Sequence, residues 1–358
     1  MLQVWGYSPE GTSFSTNCNC IPVIYRQFAQ GASLFHMKYA FFISGAFGRF
    51  ENPNTGYTDW LDTINLDERT LRHIKQGKCI VVVDDTTEAF DEPTIKTTLQ
   101  NFAERNRLTA NNFVFSTNNL NFPKQSFCDV YSAPFVLEYC RYSIIDKDTD
   151  YFEPIMGTRG DWQYPFISIG GEPRHHRRQL HNLIRNRYPS TGICTMNRGF
   201  RASDYSDIAF MPEVSPYELN HTGPYVWHDI NPKHFMHVPG AAVMETYIDH
   251  DNFSITEKAF KNLVYPQPFV MLAASGSIQL LRDIGFNVYD EYVDHSYDNI
   301  VDNDDRISAV FESFCKLIQN DYFPNEKNIV THNREVSRNL TIANDFINYV
   351  ESKLESTG

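Results

Sequence analysis

The run from Ala241 to Gly285, AAVMETYIDHDNFSITEKAFKNLVYPQPFVMLAASGSIQLLRDIG, constrains the fold of this chain more than any other stretch. Ala241 to Met244 is short, apolar and suited to a buried strand, and Pro268 to Ala274 suits a second. Between them Phe260, Leu263 and Val264 form the apolar face of a helix that begins near Thr256. Ser275 and Gly276 open another helix, carrying Ile278, Leu281 and Arg282, which Gly285 closes as a left-handed cap. Two parallel strands joined by a helix make a βαβ unit, and ligands of such sheets collect outside the carboxyl ends of the strands.

Ser254-Ile255-Thr256-Glu257-Lys258 opens the first of these helices. A helix N-terminus presents free N–H groups and a partial positive charge, which suits phosphate. Lys258 adds a full charge there, and Glu257 could accept from a sugar hydroxyl. The same letters also spell a capping box, Ser254 with Glu257 three positions on, in which both residues only tie off the helix. Local spacing leaves both readings open.

A Glu-bearing strand end, a loop, Thr-Glu-Lys, a helix and a strand of the form PFV together resemble the donor site of GT-B glycosyltransferases of the α1,3-fucosyltransferase type. The matching residues are Glu245, Thr256, Glu257 and Lys258. The resemblance implies that Glu257 holds the nucleotide ribose and Lys258 the diphosphate. The continuation GSIQLLRDIGFNVYDEYVDHSYDNIVDNDDR is similar to glycosyltransferase-like proteins of phages, giant viruses and cyanobacteria, and to the plant STELLO proteins. About a third of the chain carries the likeness.

The N-terminal half repeats the architecture without repeating the sequence. Leu2 to Gly6 and Tyr39 to Ser44 read as strands, and Pro22 to Gln30 as a short helix. Lys78 to Asp85 (KCIVVVDD) is a continuous β-branched run of the kind found inside parallel sheets, ending in two carboxylates. A helix with Leu99, Phe102 and Ala103 follows, then a strand from Asn112 to Ser116. Residues 147–165 lack periodicity and hold Pro, Gly and charge, which places the interdomain connection there. Phe166 to Gly170 opens the second domain.

After that strand comes Glu172-Pro173-Arg174-His175-His176-Arg177-Arg178, leading into a helix with Leu180, Leu183 and Ile184. Cations belong at the other end of a helix dipole, so five basic residues at a helix start call for an anion among them. The phage and cyanobacterial relatives carry a similar Arg-x-His-Arg, matching Arg174, His176 and Arg177. The fucosyltransferase type likewise places a phosphate-binding Arg at this helix start. Further on, Ile307, Val310, Phe311, Phe314, Leu317 and Ile318 mark an amphipathic helix over 304–319, and a last helix spans Ser337 to Leu354.

These readings combine into an α/β, GT-B-like chain with two Rossmann-type domains whose parallel sheets face a central cleft. Residues 1–150 form the acceptor side, 166–325 the nucleotide-sugar domain, and 326–358 a C-terminal helix packing back across the domains. Glycosyl transfer needs a base for the acceptor hydroxyl and cations for the departing nucleoside diphosphate. Asp84, Asp85 and Glu88, at the end of the strongest N-terminal strand, are the candidates for the base, with capping of the next helix as the competing role. Arg174, His176, Arg177, Arg178, Glu245, Thr256, Glu257 and Lys258 are the donor-binding set.

Inversion is expected from the resemblance alone. No cofactor is expected beyond the nucleotide-sugar co-substrate. Asp249-His250-Asp251 has the Asp-x-Asp form of a cation site but precedes Thr-Glu-Lys, so no metal is expected either. The acceptor is a glycan, a protein or a hydroxymethylated base in DNA; a net charge of −13 weighs against a broad nucleic-acid surface. A non-catalytic nucleotide-binding or virion-associated module is the alternative. No apolar run spans a bilayer and the N-terminus lacks an export signal, so a cytoplasmic location is expected, with seven cysteines read as thiols.

Overall fold

The computed structural model describes residues 3–7, 39–44, 49–52, 56–59, 61, 64–85, 92–145, 152, 156, 162, 164–170, 174–189, 191–196, 238–320, 323 and 325–356. The proposed helix over 22–30, Glu88 and most of the 147–165 connection lie outside them. The chain is α/β with two parallel sheets of Rossmann-like character, and it divides into two units. One comprises residues 1–139 and 341–358, the other 140–340. The division thus falls before the Pro/Gly-bearing stretch read as the connection.

In the first unit, parallel strands β1 (Gln3–Tyr7), β2 (Tyr39–Ser44), β5 (Cys79–Asp85), β6 (Phe113–Thr117) and β7 (Asp129–Ser132) stand side by side in chain order. A separate hairpin pairs β3 (Arg49–Asn52) with β4 (Gly56–Asp59). Right-handed crossovers between strands laid down in one direction put their helices on the same face. Accordingly α1 (Glu68–Lys75) and α2 (Glu92–Asn106) send Ile74, Leu99, Phe102 and Ala103 against Val81, Val83, Phe113 and Phe115. Ala40, Phe42, Ile80, Val82 and Val114 point the other way.

That second face is closed by α3 (Phe135–Cys140) and by α9 (Ile342–Ser356), the last helix of the chain, through Phe135, Ala343, Phe346, Val350 and Leu354. Glu138 of α3 accepts from the Ala343 N–H at 2.6 Å, capping α9 from a distant part of the sequence. Tyr349 and Lys353 on α9 both bond Asp129 of β7. The expected single terminal helix is therefore two. Helix α8 (Glu326–Arg338) stays in the second unit and α9 completes the core of the first.

The second unit holds β8 (Ile167–Gly170), β9 (Ile193–Met196), β10 (Ala241–Met244) and β11 (Phe269–Leu272), all parallel, in the order β11-β10-β8-β9. The chain steps from β8 to β9 through α4 (His175–Arg187), then returns to the far side of β8 for β10. It continues outward through α5 (Glu257–Val264) to β11. The strand order therefore reverses between β8 and β10, paired at Ile167 and Ala241. Steps in opposite directions put their crossover helices on opposite faces. Helix α7 (Asn303–Leu317) packs on α4 and β11, and α8 packs on α5.

Helix α6 (Ser277–Ile284) follows β11 between two left-handed glycines, Gly276 at φ 88° and Gly285 at φ 109°. Its N-terminus is closed by Asp298, whose carboxylate accepts from the Ile278 and Gln279 N–H groups at 3.1 and 3.0 Å. Among the described residues no helix is long and apolar enough to cross a membrane.

Candidate functional site

A sheet whose strand order reverses leaves a crevice at the carboxyl ends of the two strands flanking the reversal. Here those strands are β8 and β10, which lead into the N-terminus of α4 and the loop 245–256. Arg174 is the N-cap of α4, in extended conformation and without a side-chain cap bond. The first turn then divides by helical phase: His175 and Arg178 face outward, while His176 and Arg177 turn in and are buried.

Both inward side chains reach the end of β10. Arg177 Nε donates to the Glu245 carbonyl at 3.0 Å, and its Nη2 donates to Thr246 Oγ1 at 3.3 Å. His176 Nε2 lies 3.2 Å from the same Glu245 carbonyl. A carbonyl only accepts, so Nε2 carries the proton and Nδ1 keeps its lone pair. Burial, reinforced by the Arg177 and Arg174 charges, holds the imidazole pKa down to about 4, so His176 is neutral near pH 7.

Glu245 is 0% exposed. Its Oε1 accepts from the Thr256 N–H at 3.1 Å and its Oε2 from Thr256 Oγ1 at 2.5 Å. Both carboxylate oxygens are engaged beneath Thr256, so this residue sets the start of α5 instead of facing outward. Thr256 is the N-cap and accepts from the Lys258 N–H at 3.4 Å. The capping box that Ser254 and Glu257 could have formed is thus displaced. The cap begins two residues later, Glu257 takes the first helical position, and Ser254 is buried before the helix.

Lys258 Nζ donates to Thr256 Oγ1 at 3.1 Å, to Thr246 Oγ1 at 3.5 Å and to Glu257 Oε1 at 2.9 Å. The Lys258 and Glu257 side chains are 25% and 15% exposed. Burial opposes both charges, but each is outweighed by its partner: Glu257 and Glu245 hold the ammonium pKa up, while Lys258 and Lys261 hold the Glu257 carboxyl down. Two cations from distant parts of the chain, Arg177 and Lys258, therefore lie within hydrogen-bond reach of one oxygen, Thr246 Oγ1. The lysine arrives there already paired with a carboxylate.

The rim continues with Arg174, whose guanidinium sits 4.5 Å from the centre of the Tyr247 ring. Such a pairing favours a cation over the negative ring face. Neither Thr246 nor Tyr247 was singled out from sequence. The available signal was position, since both directly follow Glu245 at the carboxyl end of an apolar strand. Taken together, the structure brings Arg174, His176, Arg177, Glu245, Thr256, Glu257 and Lys258 to one place and leaves Arg178 on the exposed side of α4.

Asp84 and Asp85 belong to the first unit, at the carboxyl end of β5, and both are buried. Asp84 Oδ1 accepts from Ser116 Oγ at 3.1 Å, and Ser116 and Thr117 at the end of β6, with Asn118 and Asn119 just past it, extend a buried polar patch. Asp249, of the Asp-x-Asp triplet, accepts from Asn303 Nδ2 at 2.7 Å. Among the described residues no three His, Cys, Asp or Glu side chains are grouped as a metal would need. The sequence matches no protein-family model, no curated protein and no solved structure.

Proposed function

We propose that this protein is a glycosyltransferase with the GT-B arrangement, taking its sugar from a nucleotide-sugar donor held at the β8–β10 reversal. The observation that carries the reading is the meeting of Arg177 and Lys258 at Thr246 Oγ1, beside the N-terminus of α4. A diphosphate leaving group develops negative charge as the glycosidic bond breaks, and fixed cations and N–H dipoles stabilise that charge. Glu257, at the first position of α5, accepts from a ribose hydroxyl once Lys258 turns to phosphate. In this arrangement the acceptor is bound by the N-terminal unit, and Asp85, with Asp84 and Glu88, supplies the base. Glycans, proteins and hydroxymethylated bases are the acceptor classes.

One observation favours the non-catalytic alternative, a module that binds nucleotide without turning it over. Glu257 already neutralises Lys258, which lowers the net positive charge facing a leaving group. Turnover separates the two readings. The full chain is incubated with UDP-, GDP-, CMP- and ADP-sugars without acceptor, and nucleotide release is followed. A transferase releases one nucleotide slowly, and Arg177→Ala and Lys258→Ala abolish release while both variants remain folded. Binding of a nucleotide sugar with no release from any donor contradicts catalysis and leaves the binding module.

A further inference from the structure

We propose that Arg306, with Asn303 beside it, is the positioning residue of this anion site. It fixes the loop after β10, and through that loop it sets Thr246 at the point where Arg177 and Lys258 meet. This rests on the anion-binding reading above and adds the part of the fold that holds the site in shape.

A guanidinium has five N–H donors in a rigid planar fork. On Arg306, Nε donates to the Ala273 carbonyl at 2.9 Å. Nη1 donates to the carbonyls of Ile300 and Val301 at 2.5 and 3.0 Å. Nη2 donates to the Ile248 carbonyl at 2.6 Å and to Asn303 Oδ1 at 2.5 Å. All five donors meet protein acceptors, so none is left for a ligand, and the residue is 2% exposed. It acts through the backbone it holds.

The carbonyls come from three separate segments at the carboxyl end of the sheet: the loop after β10, the residue just past β11, and the loop leading into α7. Those are the segments around which ligands of such sheets gather. Among the described residues no carboxylate lies at ion-pair distance from the guanidinium; its hydrogen bonds all go to carbonyl-type oxygens, and Asp298, Asp249 and Asp302 act on the buried charge only from further off. Burying a charge is costly unless its hydrogen bonds are complete, and here they are.

Asn303 extends the grip. While its Oδ1 receives Arg306, its Nδ2 donates to Asp249 Oδ1 at 2.7 Å. The loop is therefore held from two sides. His176, Arg177 and Lys258 take the Glu245 carbonyl and Thr246 Oγ1, and α7 takes the Ile248 carbonyl and Asp249. A misplacement of about 1 Å costs a positioned reacting group on the order of a hundredfold in rate, and the position of Thr246 between the cations depends on both grips.

The test is calorimetric titration of inorganic pyrophosphate into the full chain, well below its melting temperature, with the melting temperature of each variant recorded. Asn303→Ala is expected to weaken binding about tenfold while moving the melting temperature by only a few degrees. The reciprocal double variant Asp249→Asn with Asn303→Asp exchanges donor and acceptor across the bond, and restores affinity to within about twofold of wild type. Arg306→Lys keeps the charge but lacks the fork, and weakens binding as well. A wild type that binds pyrophosphate, alongside Asn303→Ala and Arg306→Lys variants that bind it equally well, overturns the positioning role and leaves the anion site standing. A wild type that does not bind pyrophosphate overturns the anion site itself, and the positioning role falls with it.

Discussion

The two sheets are built from the same kind of unit and differ in the direction of their steps. In the first, β1, β2, β5, β6 and β7 follow one another in space as in sequence, so the connecting helices gather on one face and a helix from the far end of the chain covers the other. In the second, the order β11-β10-β8-β9 reverses, which puts the crossover helices on both faces and is the arrangement at whose reversal ligands generally gather. The polar groups at the strand ends follow this difference. Asp84 and Ser116, on adjacent strands without a reversal, bond each other. Arg177 and Lys258, on either side of a reversal, meet at a third residue.

The largest expected effect of a single substitution tests whether the last helix is a structural face of the first unit. Phe346 meets Phe42 edge-on at 6.3 Å and Phe135 at 5.5 Å. Phe346→Ala should cost about 3–5 kcal/mol, the range for emptying a buried aromatic site, measured as a urea shift in the transition of that unit. Its pyrophosphate affinity should stay within about twofold of wild type, because the anion cluster belongs to the other unit.

Acid should act the other way, on the second unit. Burial holds His176 and His181 down to about 4, and it also lowers His295. Each is harder to protonate folded than unfolded. The stability from His176 and His181 is therefore complete above their ordinary value near 6.5 and lost as the pH falls towards about 4. At up to about 3 kcal/mol for each of these two, the second unit should lose its cooperative transition in that window. Imidazole resonances that titrate near 6.5 in the native state would contradict this.

The smallest effect sharpens the role of Glu257. Glu257→Gln removes the partner of Lys258, so pyrophosphate should bind about threefold more tightly, in keeping with a partly exposed ion pair worth under about 1 kcal/mol. A nucleoside diphosphate should not gain, because its ribose loses the carboxylate acceptor. Equal gains for both ligands would reduce Glu257 to a charge partner only.

Much of the fold was legible because its signals are local. Cys79 to Asp85 is buried at every position, as an uninterrupted β-branched run implies, and Gly285 adopts the left-handed cap its place after Ile284 suggested. What was not legible depended on partners far away in sequence. Thr256, not Ser254, caps α5 because Glu245 at the end of a strand holds it. The terminal helix divides where Arg141 Nη1 takes the carbonyls of Arg338 and Leu340, and where Glu138 caps the next helix at Ala343. Arg174, Arg177 and Lys258 stand out as charges at helix starts, whereas Thr246, the small residue at which Arg177 and Lys258 meet, is marked only by its position after the strand.

The central claim is that cations from α4 and α5 share one anion at the β8–β10 reversal. Titrating a nucleoside diphosphate into the wild type and into Lys258→Ala, each checked for an unchanged melting temperature, tests it most directly. One site per chain is expected in the wild type, with a loss of about tenfold to a hundredfold in the variant, the scale of one charge-assisted bond. Equal affinity in the two proteins, or no binding by the wild type, would contradict it.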